Sequence, residues 1–274
     1  MRTSRRIAVI FFGQPRFIES KYAARSHTRW LRDCDVDFYG HCWFDPKVEM
    51  YETAPWANLG KIKMAKESPR LLEEQYPGIN IQFESPMAFD ESDYIAALKI
   101  AEDEKISEVF FREIGNVQNT LSQFYSMHRA LEYFKSEAEM LNYDLVVLSR
   151  YDNYIWKMES PSSLPIDKLT LSNHHNNFPD LIYVGPWEKI QALDAWVYLK
   201  LLIDGSRNLS AEDIKRRAYI SQFPVSTINP VNSDVTILRS AAKKYLWWDL
   251  PSKRLRRKVQ VRTRFKKITS KMGL

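Results

Sequence analysis

The sequence has 274 residues, of which 45% are hydrophobic and 27% charged, so it can bury the core of one enzyme-sized domain and is not a low-complexity disordered chain. Two cysteines are too few for a disulfide framework, and no Cys-x-x-Cys pair indicates zinc, which favours a reducing, cytoplasmic setting. No stretch approaches the roughly 18 apolar residues of a membrane helix, and the apolar run at residues 7–12 is too short for a signal peptide.

The formal net charge of +6 is concentrated at one end of the chain. Residues 253–271 contain ten Lys or Arg and no acid, and subtracting these ten from +6 leaves about −4 for the body. A body of that charge argues against nucleic acid as its partner, whereas the basic segment needs a separate explanation.

Hydrophobic patterning predicts the following elements in chain order. The apolar run 7–12 is typical of a buried first strand and ends at a Gly-Gln-Pro-Arg turn. The next elements are predicted as a helix over 17–31, a strand over 36–43, a helix over 69–76 that begins at a proline, a strand over 79–83 and a polar helix over 92–114.

A long helix is predicted to begin at Thr120. The sequence from Thr120 to Gln123 has the form of a capping box, and apolar residues then recur at helical spacing. This helix leads to a strand over 144–149 whose continuous apolar core predicts burial on both faces. Strands near Thr170 and over 181–184, and helices over 188–203 and 211–220, complete the pattern.

Strands that alternate with helices predict an α/β fold with a mostly parallel central sheet flanked by helices, in a Rossmann-like arrangement. We predict one domain at residues 1–250 and a basic amphipathic tail at residues 251–274. In such sheets the functional site lies beyond the carboxyl ends of the strands.

Several motifs are absent. The chain lacks the Gly-x-Gly-x-x-Gly, phosphate-loop, His-Glu-x-x-His and Gly-x-Ser-x-Gly patterns, which lowers the weight of dehydrogenases, P-loop enzymes, zincins and α/β hydrolases. The adjacent pair His174 and His175 is interpreted as loop histidines, because neighbouring side chains diverge and no third ligand is suitably spaced.

Arg150 and Asp152 directly follow the buried strand 144–149. A departing diphosphate needs its charge neutralised, and a carboxylate-held metal or an arginine bound to phosphate oxygens can do this. Arg-x-Asp is a weak motif, however, and a structural ion pair that caps the strand is an equal alternative.

The turn after the first strand offers further candidates. Gly13, Gln14 and Arg16 can meet a nucleotide there, although an ordinary strand-to-helix turn explains them as well. His41 and Trp43 alternate on the second strand and share one face, for which core packing is the alternative.

The long helix adds Gln123 and Tyr125 to these candidates, with Gln123 also explained by the capping box. A carboxylate is needed to take the proton of an acceptor hydroxyl. Asp180 is the first choice for this catalytic base, and Glu212, Asp213 and Asp234 compete with it.

Together these segments resemble GT-A-like glycosyltransferases of bacterial lipopolysaccharide and capsule synthesis, a family with relatives in phages and large viruses. The resemblance covers about the first 190 residues and is carried, in order, by residues 7–16, 35–43, 123–126, 143–152 and 179–185. It implies a GT-A domain, a nucleotide-sugar donor, and a donor pocket bordered by Gly13, Gln14, Arg16, His41 and Trp43.

The resemblance also implies that Arg150 and Asp152 stand where GT-A enzymes carry Asp-x-Asp. Here the sequence is Arg-Tyr-Asp-Asn, which leaves one carboxylate for a metal. We therefore expect Asp152 to hold Mn²⁺ or Mg²⁺ with the help of water and diphosphate oxygens, as a hypothesis.

In the tail, apolar residues recur at spacings of four, three and four among lysines and arginines, at Val261, Phe265, Ile268 and Met272. This pattern suits peripheral contact of residues 253–274 with an anionic inner-membrane face, where a lipid-linked acceptor would lie. A solvated terminal helix is an equal alternative, and phosphate contact with nucleic acid is a third.

The sequence thus predicts a glycosyltransferase that moves a sugar from a nucleoside diphosphate to a hydroxyl of a glycan or glycolipid acceptor. A sugar nucleotidyltransferase is an alternative, although it normally has a Gly-rich, Lys/Arg-bearing loop that only Gly13 and Arg16 match. A non-enzymatic nucleic-acid or membrane adaptor that acts through the tail is a third hypothesis.

Overall fold

The structure, a computed structural model, describes residues 4–52, 61–96, 117–138, 142–172, 178, 181–197, 199 and 211–238. The strands are β1 (Arg5–Phe12), β2 (Cys34–Trp43), β3 (Met50–Glu52), β4 (Lys61–Lys63), β5 (Asn80–Glu84), β6 (Leu145–Arg150), β7 (Asn153–Lys157), β8 (Leu169–Leu171), β9 (Ile182–Gly185), β10 (Ile228–Pro230) and β11 (Asp234–Ile237). The helices are α1 (Tyr22–Leu31), α2 (Ser68–Gln75), α3 (Val117–Ala138), α4 (Trp187–Gln191) and α5 (Ala211–Ile220), and residues 92–96 are also helical.

Seven strands form the central sheet in the order β10-β8-β9-β6-β1-β2-β5. Neighbours pair in parallel except that β9 runs antiparallel to both β6 and β8. The predicted α/β fold with a mostly parallel central sheet flanked by helices is therefore confirmed. Strands β6, β1, β2 and β5 consequently all end at one edge, which we call the carboxyl edge.

The sheet is buried on both faces because residues 7–12 of β1 and residues 145–148 of β6 are all apolar. Alternate residues of β1 face opposite clusters, with Ala8, Ile10 and Phe12 on one side and Ile7 and Val9 on the other. Helices α3, α4 and α5 contribute to the first cluster, and α1 and α2 to the second. Fully burying a large apolar side chain contributes about 1.5 to 3 kcal/mol, so these two layers supply most of the driving force for folding.

Two predicted helix starts are wrong. The helix predicted over 17–31 is broken, because Phe17 and Lys21 both adopt left-handed backbone conformations with φ of 59°. A 3-10 turn occupies Ile18–Ser20, and α1 begins only at Tyr22. The capping box at Thr120 is also wrong, since α3 is already helical from Val117 and Thr120 is buried within it.

A second, two-stranded sheet continues directly from the carboxyl edge. Strand β7 starts one residue after Asp152 and pairs antiparallel with β11. The backbone N–H of Leu238 also donates to the carbonyl oxygen of Asp152 at 2.7 Å. The end of the described chain is thereby fastened to the edge of the main sheet.

Several predictions fall on residues outside the described ranges. These are most of the helix over 92–114, the pair His174 and His175, Asp180 and the tail at residues 251–274. The helix predicted over 188–203 is wrong in its length, since α4 ends at Gln191 and residues 192–197 are not helical. None of the described helices is long and apolar enough to cross a membrane.

Candidate functional site

A cluster of two arginines around one aspartate lies at the carboxyl edge. Asp152 accepts hydrogen bonds from Arg150 Nε at 2.9 Å on Oδ1 and from Arg150 Nη2 at 3.0 Å on Oδ2. Arg16 Nε donates to the same Oδ2 at 2.7 Å, and Arg16 Nη2 forms an ion pair with it. We call these three residues the Arg-Asp-Arg cluster.

Topology explains why the cluster forms from residues 136 apart in sequence. Strands β1 and β6 are neighbours, and Phe12 lies opposite Arg150 in their register. The turn after β1 therefore places Arg16 beside the residues that follow β6. The cluster combines two predicted sites, the Gly-Gln-Pro-Arg turn and Arg150 with Asp152, into one.

The cluster is mostly buried. Asp152 is fully buried and Arg16 nearly so, whereas the side chain of Arg150 keeps 20% of its surface exposed. Burial alone would raise the pKa of Asp152, but the charges of Arg150 and Arg16 and their hydrogen bonds lower this pKa to about 2. Two guanidinium groups thus share one ionised carboxylate in a mostly buried position.

These contacts bear on the predicted metal at Asp152. Both carboxylate oxygens already accept hydrogen bonds from arginines, and a cation on the same oxygens would face two positive charges. Within the described part of the chain, no group of three or more His, Cys, Asp or Glu residues is placed to hold a metal ion. The donor set at Asp152 therefore does not fit Mn²⁺ or Mg²⁺ in this arrangement.

Gly13 shapes the turn that carries Arg16. Its φ of 96° is a conformation that favours glycine, and nothing lies within 4 Å of the position that a Cβ would take. The N–H of Gly13 donates to Ser126 Oγ at 2.8 Å, and its carbonyl oxygen accepts from the N–H of Trp43 at 3.1 Å. The turn is thus held by both α3 and the end of β2.

His41 extends this contact into a chain of hydrogen bonds. Ser126 Oγ lies 2.8 Å from His41 Nδ1. Since Ser126 Oγ accepts from Gly13, we assign its own proton to this bond, which places the imidazole proton on Nε2, 3.6 Å from a Glu84 oxygen. Burial lowers the pKa of His41 to about 4, although the negative charge of Glu84 acts to raise this pKa. The ring is therefore neutral at pH 7.

An aromatic group lies beside this chain. Trp43 stacks on Tyr125 with ring centroids 5.6 Å apart, and the edge of His41 meets Trp43 at 4.9 Å. Phe89 and Trp196 contact Tyr125 at 5.5 and 5.3 Å. Phe89, Tyr125 and Trp196 are only partly buried. The arrangement offers apolar surface and a ring face next to the turn at Gly13.

Glu84 closes the site on the side of β5. One of its oxygens accepts from Arg129 Nε at 2.7 Å and the other from the Tyr125 hydroxyl at 3.3 Å. Glu84 was not predicted as a site residue. The signal that would have identified it is its position as the last residue of β5, because every parallel strand ends at the same edge.

Lys215 of α5 is a second residue that the sequence analysis missed. It is fully buried, and its Nζ lies 5.7 Å from the centre of the Tyr183 ring. Burial lowers its pKa well below the usual value, and the positive charge of Arg150 acts in the same direction. The Lys215 amine therefore lies within electrostatic reach of Arg150, which disfavours its charged form.

The remaining predicted residues are placed less centrally. Gln14 lies in the turn and its carbonyl oxygen accepts from Arg16 N at 2.9 Å. Gln123 is in α3, where its Nε2 is buried without a hydrogen-bond partner among the described residues. Asp213 forms an ion pair of 3.8 Å with Arg216 in α5.

Two further candidates for the catalytic base lie in described elements. Glu212 is in the first turn of α5, and Asp234 is in β11. Asp180, the first choice for the base, is outside the described residues. Which carboxylate takes the proton therefore stays a prediction.

Comparison with known proteins finds similarity among solved structures but not among family models or curated proteins. No protein-family model matches the chain, and no curated protein matches it. Among solved structures, the chain is similar to the glycosyltransferase GlyE of Streptococcus pneumoniae TIGR4, with 10% sequence identity and a TM-score of 0.37. The match covers 84% of this chain and 45% of the GlyE chain. This similarity is too low to support an activity, so the activity is argued from the site alone.

Proposed function

We propose that the protein is a glycosyltransferase that uses a nucleoside-diphosphate sugar and transfers the sugar to a hydroxyl of a glycan or glycolipid. The observation that carries the proposal is the Arg-Asp-Arg cluster. It places two guanidinium groups around one carboxylate at the carboxyl edge of a mostly parallel sheet, which is where α/β proteins of this kind bind ligands.

In this proposal Arg150 binds the diphosphate of the donor. It is the more exposed of the two arginines, and its guanidinium has five N–H groups, of which two are used on Asp152. Asp152 fixes the plane of the guanidinium, so the remaining donors need little reorganisation when phosphate arrives. As the glycosidic bond to the diphosphate breaks, the negative charge on the leaving group is stabilised by Arg150.

The rest of the site has a supporting part in the proposal. Gly13 brings backbone close to the donor, and the hydrogen bonds to Ser126 and Trp43 hold the turn in place. Tyr125, with the buried Trp43 stacked against it, supplies the apolar wall for the nucleoside or the sugar. We retain Asp180 as the proposed base for the acceptor hydroxyl, and no step of the proposal uses a metal.

Donor binding tests the proposal directly. UDP-, GDP- and dTDP-sugars are screened by thermal shift, with a CMP-sugar for comparison because it carries one phosphate. At least one diphosphate donor should stabilise the protein, by about 2.7 kcal/mol at a concentration 100 times its Kd. If no nucleotide sugar raises the melting temperature, the proposed function is wrong.

A matched pair of variants connects donor binding to Arg150. A charged hydrogen bond contributes about 1.5 to 3 kcal/mol, so Arg150→Gln should raise the donor Kd by roughly 10- to 150-fold in calorimetry. Arg6→Gln, which removes an arginine paired with Asp37 at the opposite end of β1, should leave the Kd unchanged. Donor binding should also persist in excess chelator, since no metal ligand set is formed at Asp152.

A further inference from the structure

A basic groove with a volume of about 440 Å³ lies along α1, and no residue of the Arg-Asp-Arg cluster lines it. Among the described residues, its lining contains four cationic side chains and two neutral polar ones, and no carboxylate. The cations are Lys21, Arg25, Arg29 and Arg32, and the neutral polar residues are Thr28 of α1 and Gln75 at the end of α2. We call this feature the α1 groove.

The four cations form a row because their spacings of four, four and three residues place them on one helix face. At a rise of 1.5 Å per residue the row is about 16 Å long. All four residues are exposed. Arg29 donates to the carbonyl oxygen of Ile155 at 2.7 Å, and Arg32 contacts Asp33 at 3.4 Å, so the row keeps most of its charge and its N–H donors for a ligand.

The lining of the groove indicates which polyanion fits it. Proteins that bind single-stranded nucleic acids combine positive charge with aromatic side chains on which the bases stack, and no aromatic side chain of the described residues lines this groove. Surfaces that insert into a bilayer present large apolar side chains beside their cations, and Ala24 is the only apolar residue of the lining within the described part of the chain. The cations and the Thr28 hydroxyl suit a chain that carries both acidic groups and hydroxyls, whereas the Gln75 amide already donates to the carbonyl oxygen of Ile18.

We propose that the α1 groove binds an anionic glycan, that is, a saccharide chain with carboxylate or phosphate groups. Lys21 lies five residues after Arg16 and immediately before α1, so the groove begins near the carboxyl edge and runs away from it. If the protein transfers sugars as proposed above, this position suits the acceptor, with its acidic groups in the groove and its growing end at the site. Only this assignment as acceptor rests on the proposed function.

Binding of model glycans tests the groove without any need for catalysis. The probes are oligosaccharides of polygalacturonate, which carry carboxylates, and of phosphomannan, with neutral dextran as the uncharged reference. The charge-reversing variant K21E/R25E is compared with K47E/K63E, which makes the same change in net charge at exposed lysines outside the groove. At least one acidic probe should bind, and K21E/R25E should weaken this binding more than tenfold while K47E/K63E changes it less than twofold.

Three results would overturn the proposal. The first is that neither acidic probe binds better than dextran. The second is an equal loss in both charge variants, which would show a general effect of net charge. The third is that K21E/R25E weakens the binding of single-stranded DNA or of phosphatidylglycerol vesicles more than it weakens the binding of the glycans. Circular dichroism melting of each variant shows whether the fold is kept, and K21Q/R25Q provides a milder replacement if it is not.

The donor measurement separates failure of the groove from failure of the proposed function. K21E/R25E leaves the Arg-Asp-Arg cluster intact and should bind the nucleotide sugar as the wild type does. Loss of glycan binding with normal donor binding supports two distinct sites. If the protein binds the glycan but no nucleotide sugar, the proposal for the α1 groove is supported and the proposed glycosyltransferase function is wrong.

Discussion

Asp152 is ionised at a position that water does not reach. An isolated carboxylate at such a position would be strongly destabilised, and its proton would be retained. Two arginines reverse this balance by donating to both oxygens. The same contacts orient the guanidinium groups of Arg16 and Arg150.

Replacement of Asp152 by asparagine should destabilise the protein, because Arg16 and Arg150 would then repel each other without a counter-charge. Removing one partner of a buried ion pair costs about 3 to 5 kcal/mol in the free energy of unfolding. We expect a loss of about 3 kcal/mol at pH 7, measured by urea unfolding. A loss below about 1 kcal/mol would show that the cluster does not contribute to stability.

The pH dependence of this loss follows from the depressed pKa of Asp152. The folded value is about 2, whereas an unfolded aspartate has a pKa of about 4. The contribution of the carboxylate is therefore complete above about pH 4 and is lost as the pH falls towards 2. The difference between wild type and Asp152→Asn should shrink over this interval. A difference that stays constant from pH 5 to pH 2 would contradict the assignment.

The sequence predicted Arg150 and Asp152 as neighbours, but it did not predict that Arg16 would share the same carboxylate. The first two are two residues apart and follow one strand, so periodicity is sufficient to place them. Arg16 comes from another strand, and only the order of strands in the sheet brings it to Asp152. Glu84 and Lys215 were missed for the same reason.

At the scale of elements, β2 shows how closely the central strands pack. A Cβ on Gly40 would overlap the hydroxyl of Tyr151 and would lie 2.8 Å from the carbonyl oxygen of Phe11. This glycine is required by the close approach of neighbouring chain segments. The opposing Tyr151 hydroxyl is buried without a hydrogen-bond partner among the described residues.

Gly40→Ala should therefore lower the free energy of unfolding by about 1 to 3 kcal/mol, the usual cost of overpacking. Tyr151→Phe removes the hydroxyl that the new methyl group meets, so the double variant should lose less stability than the sum of the single variants. Gly78→Ala is the control, because its cost comes from a φ of 75° and not from a contact, since nothing lies within 4 Å of its Cβ position. Tyr151→Phe should not rescue that variant. If the stability losses of Gly40→Ala and Tyr151→Phe simply add in the double variant, the new methyl group does not clash with the Tyr151 hydroxyl.

Elements that are long and apolar could be predicted from the sequence, whereas short paired elements could not. The buried strands β1, β2 and β6 and the body of α3 follow from continuous or periodic hydrophobicity. Strands β7 and β11 are four or five residues long, and their partners are about 80 residues apart. Their pairing depends on the completed sheet, so a local pattern of apolar residues does not predict it.

At the scale of the whole molecule, the distribution of charge separates the tail from the body. Ten of the 40 Lys and Arg residues lie between residues 253 and 271. The tail is outside the described residues, and its role stays a prediction. We propose that it holds the protein at an anionic membrane surface, where each Lys or Arg near the surface contributes about 1 kcal/mol.

Deletion of residues 253–274 tests this proposal. The shortened protein should sediment with phosphatidylglycerol vesicles much less than the full chain does, and it should melt at the same temperature. High salt should weaken sedimentation of the full chain, because the attraction is electrostatic. Equal sedimentation of the two proteins would show that the tail does not bind membranes. Neutral phosphatidylcholine vesicles serve as the reference.

The hydrogen bond from Leu238 to Asp152 has a consequence for the order in which the molecule is made. Residues of the site are supplied by the chain from Gly13 to Lys215, but β7 gains its partner strand only when residues 234–238 are present. A ribosome that has synthesised the first 200 residues has produced both arginines and their aspartate, without the strand that fastens them. The emerging chain therefore gains its finished site only after residue 238 has been added, when most of its sheet can already have formed.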